Sequence, residues 1–100
     1  MSAYIVSRVR ILNSQAMARY MAEAPATVAA FGGQYLVRGN DVQALEGTWD
    51  HDRMVVVAFP DKEAALAWYD SDVYRPLREL RQSSAEAVIL LGDGVSARVQ

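Results

Sequence analysis

The sequence predicts an α+β fold, a four-stranded antiparallel sheet with helices on one face, in the order βαββαβ. Three observations carry that expectation. Four short segments rich in Val, Ile and Leu have the length of strands. Between the first and second, and again between the third and fourth, apolar residues recur at helical steps. Gly32-Gly33, Gly39-Asn40-Asp41 and Gly92-Asp93-Gly94 punctuate the pattern where turns are needed.

Ala3 to Ile11 is the first strand. Asn13 or Ser14 then caps a helix on which Met17, Tyr20, Met21, Ala24, Val28 and Phe31 share one face. Pro25 interrupts that face and predicts a kink or restart, because proline lacks the backbone donor. Gly32-Gly33 ends the helix. Gln34 to Arg38 is the second strand, and Val42 to Trp49 reads as extended before turning through Asp50-His51-Asp52. Arg53 to Phe59 is the clearest strand, unbroken in apolar residues from Met54. Asp61 caps the next helix, with Glu63 favourable in its first turn. Ser71 or Asp72 caps a further helical piece, with Val73, Leu77 and Leu80 on one side and Arg75, Arg78 and Arg81 largely on the other. Ala87 to Leu91 is the last strand. Residues 1–94 form a single domain and 95–100 a loose tail. This order is the ferredoxin-like arrangement.

Helices on one face leave the other face of such a sheet bare. Val55-Val56-Val57 and Val88-Ile89-Leu90 show no polar alternation, so both strands need cover on both sides. A second copy packed sheet to sheet provides it, and the expected assembly is a homodimer.

Composition narrows the function. Of 100 residues, 52% are hydrophobic and 22% charged, with a net charge of −2. The pI near 5.2 leaves no basic footprint for nucleic acid. No apolar run is long enough to span a membrane, and no signal-peptide core forms before Arg8 and Arg10. The chain therefore reads as cytoplasmic. Cys is absent and His51 is the single histidine, which removes Cys-ligated and His-rich metal sites. No phosphate loop, nucleophile elbow or dinucleotide fingerprint is present, so no cofactor is expected.

Candidate site residues come from charge set among apolar strands. Arg38, Glu46 and Arg53 lie on or beside strand segments, where partial loss of water makes them seek partners. They form either a structural ion pair or an anion clamp with a carboxylate base. Trp49, Tyr69 and Tyr74 present aromatic bodies with polar tips; Tyr69 and Tyr74 flank Ser71 at a helical break, where side chains can turn toward a cavity. Arg81 belongs near this cluster. His51 belongs outside it, on a polar turn.

The words Gly32-Gly33-Gln34-Tyr35-Leu36-Val37-Arg38-Gly39, Leu45-Glu46-Gly47-Thr48-Trp49, Arg53-Met54-Val55-Val56-Val57-Ala58-Phe59-Pro60 and Ala65-Leu66-Ala67-Trp68-Tyr69-Asp70-Ser71-Asp72-Val73-Tyr74 resemble the family called domain of unknown function 1330. The resemblance runs from about Tyr4 to Gly92. It implies a dimeric α/β barrel of ferredoxin-like protomers, in a superfamily that includes cofactor-free oxygenases, isomerases, decarboxylases and ligand-sensing domains. The chain departs from the family at Asn13-Ser14, where Asp-Pro is common, and at Asn40, where a second Gly is common. The leading expectation is a small-molecule-binding protein, extending to cofactor-free catalysis on a small carbonyl or aromatic compound. Arg38 or Arg53 would hold an anionic group, Glu46 would act as base, Tyr69 or Tyr74 would donate a hydrogen bond, and Trp49, Ser71 and Arg81 would line the ligand. A non-catalytic sensor or interaction module is the alternative.

Overall fold

Side-chain caps decide where the helices begin. In the computed structural model, which describes residues 2–39 and 41–95, Asn13 accepts a hydrogen bond from the Ala16 amide at 3.1 Å and Asp61 accepts one from the Ala64 amide at 2.8 Å. Each satisfies a donor that the first helical turn leaves unpaired. The elements run β1 (Ala3–Ile11), α1 (Ser14–Ala30), β2 (Gln34–Gly39), β3 (Arg53–Phe59), α2 (Lys62–Tyr69), α3 (Arg75–Ser84) and β4 (Ala85–Asp93). The sheet order is β2-β3-β1-β4, and every neighbouring pair is antiparallel. This is the ferredoxin-like topology, with a third short helix added before the last strand.

Several expectations need correction. α1 runs through Pro25 without restarting; Ala24 and Val28, both buried, pin the turns on either side of it. Residues 41–52 form an irregular loop, not the extended segment expected over Val42 to Trp49. Gly47 there takes φ +81°, a left-handed value that no strand accommodates. β4 begins earlier than its apolar run, at Ala85, because β1 pairs with it back to Ile11. Of the tail, only Val95 lies within the described residues.

The core forms between the helices and one sheet face. Ile5, Val57 and Phe59 from the sheet meet Val28, Trp68 and Leu77 from the helices. The close of α1 controls how tightly this layer packs. Gly32, at φ +78°, donates to the Ala29 carbonyl at 3.0 Å and Gly33 donates to the Val28 carbonyl at 2.9 Å. That paired arrangement is a Schellman ending, which requires the left-handed residue. Gly33 carries a second constraint. A Cβ there would lie 2.6 Å from Val28 Cγ1 and 2.8 Å from Phe59 Cε1, and both side chains are fully buried. Gly33→Ala is therefore expected to destabilise the fold by about 1–3 kcal/mol, through overpacking. The measurement is the urea midpoint at unchanged m-value; a wild-type midpoint would show that Phe59 has room to move.

Among the described residues, no helix covers the opposite sheet face. Its central row is Val37, Val56, Val6 and Leu90, aligned by the strand register. Leu36, Val37, Val88 and Leu90 on this face are exposed. Arg8, Arg10 and Glu86 give it a charged margin at one end.

Candidate functional site

Sheet register sets the floor of a cavity beneath the helices. Arg38 on β2 lies opposite Val55 on β3, Val55 opposite Ser7 on β1, and Ser7 opposite Ile89 on β4. One row further toward the strand end, Arg53 pairs with Val9. All of these residues line the cavity. Met17, Tyr20 and Ala24 from α1 roof it, with Trp68 from α2, Tyr74 and, from α3, Arg81. About 50 Å³ is open to the centres of water molecules, room for about three to five waters.

The polar groups form a connected set. The hydroxyls of Tyr20 and Tyr74 share a hydrogen bond of 2.5 Å. Tyr74 is buried, with its ring centroid 4.0 Å from that of Trp68. Trp68 is anchored in turn, since its Nε1 donates to Thr27 Oγ1 at 3.0 Å. Burial, then the neighbouring Tyr74, holds the Tyr20 hydroxyl well above its ordinary range. Tyr35 is also raised, chiefly by burial. Both stay protonated as hydrogen-bond donors.

Three guanidinium groups line the same space. Arg81 is only 5% exposed, and its Nε has no hydrogen-bond partner. Burial alone would lower its pKa, but the hydroxyls of Tyr74 and Tyr20 more than compensate, so it remains charged. Arg53, half-buried, is held below its ordinary range by burial first and by the charge of Arg38 second. Arg38, at the exposed side, sits 5.1 Å from the centre of the Tyr35 ring. None of these three arginines forms a salt bridge among the described residues, and no Asp, Glu or His lines the cavity.

The structure thus brings together Arg38, Arg53, Tyr74 and Arg81 and leaves the other expected site residues elsewhere. Glu46 is exposed in the loop 41–52. Trp49 packs against His51, ring centroids 5.4 Å apart, and His51 Nδ1 lies 2.8 Å from Asp50 Oδ1, both outside the cavity. Ser71 is a turn residue: its hydroxyl donates to the Trp68 carbonyl at 2.7 Å and accepts from the Tyr74 amide at 3.2 Å. That cap orients Tyr74 without touching the cavity. Tyr69 lies under the Arg78 guanidinium, 4.8 Å from its ring centre, beside a separate apolar groove with Ala65, Leu66 and Leu90. Among the described residues, no group of three or more His, Cys, Asp or Glu could hold a metal ion.

Arg81 also corrects the helix reading, in which it shared a solvated face with Arg75 and Arg78. Steps of three drift by about 60° each around a helix, whereas Leu77 and Arg81, four apart, lie within about 40°. Tyr74, Leu77, Arg81 and Ser84 are all buried. That spacing was the available signal for Arg81. Tyr20 and Met17 were legible as part of the apolar face of α1 but not as cavity residues.

A family model describes this architecture. The model for Domain of unknown function (DUF1330) matches residues 2–95. The chain belongs to that family. Among solved structures, a protein of unknown function from Rhodopseudomonas palustris is similar at 17% identity and TM-score 0.80, covering 95% of this chain and 83% of the other. A dimeric ferredoxin-like protein of unknown function from Jannaschia sp. gives 14% identity and TM-score 0.71, over 94% and 100% of the two chains. SnoaB, a cofactor-independent oxygenase from Streptomyces nogalater, gives 13% identity and TM-score 0.64, over 96% and 95%. At such identities these likenesses establish the shared fold. No curated protein matches the chain. No helix among the described residues is long and apolar enough to cross a membrane.

Proposed function

We propose that this DUF1330 protein binds a small anionic molecule in the cavity between its sheet and helices. One observation carries the reading. Arg38, Arg53 and Arg81 line a space walled by aliphatic and aromatic side chains and a few hydroxyls, which no acidic side chain among the described residues shares. Buried charge is costly unless it is paired, and an incoming anion is the missing partner. Guanidinium groups suit a carboxylate because they present paired donors in a plane. The hydrogen-bonded Tyr20 and Tyr74 hydroxyls add polar groups beside Arg81.

Binding is better supported than turnover. A site with positive charge and hydroxyl donors but no carboxylate or imidazole lacks an evident general base. The fold likeness to a cofactor-independent oxygenase gives a reason to assay oxygen uptake once a ligand is known.

The working unit in this reading is a homodimer. The apolar row Val37, Val56, Val6 and Leu90 needs cover, and the similar Jannaschia protein is described as dimeric. A sheet face of this kind exceeds what single exposed apolar residues explain.

Thermal shift against small carboxylic acids and their neutral amides tests the binding. An acid at about one hundred times its Kd contributes about 2.7 kcal/mol, which raises Tm by about 10 °C or more in a domain of this size. The amides are expected to give no shift. Equal shifts from amide and acid would remove the anionic reading, and no shift from any acid would remove the binding function.

A further inference from the structure

We infer that the ligand is a short-chain dicarboxylate, with one carboxylate held deep at Arg81 between Tyr20 and Tyr74 and the other held near the opening by Arg38 and Arg53. The inference rests on the anion-binding reading above and adds the number and spacing of the charges.

Two positive positions, not one, follow from the fold. Arg38 and Arg53 come from the β2–β3 side of the sheet and face the helix layer at neighbouring rows of the register. Arg81 comes from α3, above the sheet, and is 5% exposed where Arg38 is open to solvent. The floor between them is made by Val55, Ser7 and Ile89, across strands about 4.8 Å apart. A ligand reaching both positions therefore needs a charge at each end and an apolar or weakly polar middle.

Charge balance points the same way. A monoanion at Arg81 leaves Arg38 and Arg53 facing each other with no acidic partner among the described residues. The second carboxylate relieves that repulsion, and Arg53 already shows it, being held below its ordinary range partly by Arg38. Size sets the upper limit. Space for about three to five waters suits a chain of a few carbons and not an extended ring system.

The test is calorimetric titration of the wild-type protein with malonate, succinate and glutarate, with propionate and butyrate, with succinamate and with inorganic phosphate. Succinamate keeps the length of succinate and removes one charge. The best diacid is expected to bind at least about tenfold more tightly than its half-amide, the scale of one charge-assisted contact. The double variant R38Q/R53Q should erase that preference, bringing succinate affinity down to that of succinamate. Circular dichroism checks its fold; if the double variant fails to fold, the wild-type comparison of succinate with succinamate decides alone. Equal affinity for those two, or phosphate bound more tightly than every diacid, overturns the dicarboxylate and leaves anion binding standing. Failure of every acid to bind overturns both.

Discussion

If two copies pair through the sheet face as proposed, Val56→Lys is expected to leave an 11.0 kDa monomer at micromolar concentration where the unsubstituted protein is a dimer. Val56 lies at the middle of the helix-free sheet face, opposite Val6 on β1 and Val37 on β2, with Leu90 completing the row on β4. Sheets packed face to face lie about 10 Å apart with side chains interdigitated, so a lysine at the centre of that row cannot reach water. Burying its ammonium without a partner costs several kcal/mol. Even about 4 kcal/mol weakens association by about a thousandfold. Sedimentation measures the change directly. The contrast is Val57→Lys: Val57 is 3% exposed within the protomer core, so that substitution should unfold the chain rather than dissociate it. A folded, dimeric Val56→Lys protein would show that the bare face is not the interface.

That contrast also marks what the sequence could and could not express. The absence of alternation in Val55-Val56-Val57 announced a strand buried on two sides, but only the register says that Val56 looks outward while Val55 and Val57 look toward the helices. Element order was legible because each signal was local: Asn13 and Asp61 at helix starts, Gly32-Gly33 at a helix end, a continuous apolar run in β3. The loop 41–52 was not. Val42, Leu45 and Trp49 have strand-like chemistry, yet no strand lies there to pair with them, and Gly47 turns the chain left-handed.

The site divides along the same line. Arg38 and Arg53 were readable as charges among apolar strand residues, and they do meet in space. Glu46 shared that local description, but its segment is not a strand, so its carboxylate stands in the loop instead of facing the helices. Tyr74 and Tyr69 looked equivalent around Ser71. The Ser71 hydroxyl bridges the Trp68 carbonyl and the Tyr74 amide, which turns Tyr74 inward onto Trp68 and leaves Tyr69 to the next groove. Side-chain direction at such a turn depends on a capping geometry that residue types alone do not specify.

Arg81→Met is expected to raise the Tm of the ligand-free protein while abolishing its response to acids. The two effects have opposite signs if, as proposed, the residue serves a ligand and not the fold. Arg81 is 5% exposed, its Nε is unpartnered, and among the described residues only the hydroxyls of Tyr74 and Tyr20, with no carboxylate beside them, offset the cost of burying its charge. Methionine keeps much of the apolar stem and fills irregular space well, so the substitution removes a desolvated charge at a small loss of packing. Replacing buried charge with apolar groups stabilises by about 1–4 kcal/mol in favourable cases. For a domain of this length even the lower figure raises Tm by about 4–8 °C. Trading stability for a functional group in this way is common at ligand sites. Arg81→Lys separates the two terms, since it keeps the charge but loses the planar donor fork; it should bring no gain in stability and only weakened acid binding. A structural arginine would behave otherwise. If Arg81→Met lowered Tm by several degrees and acids still stabilised the variant, Arg81 would be part of the scaffold, and the cavity would have lost the group that makes its charge unexplained without a ligand.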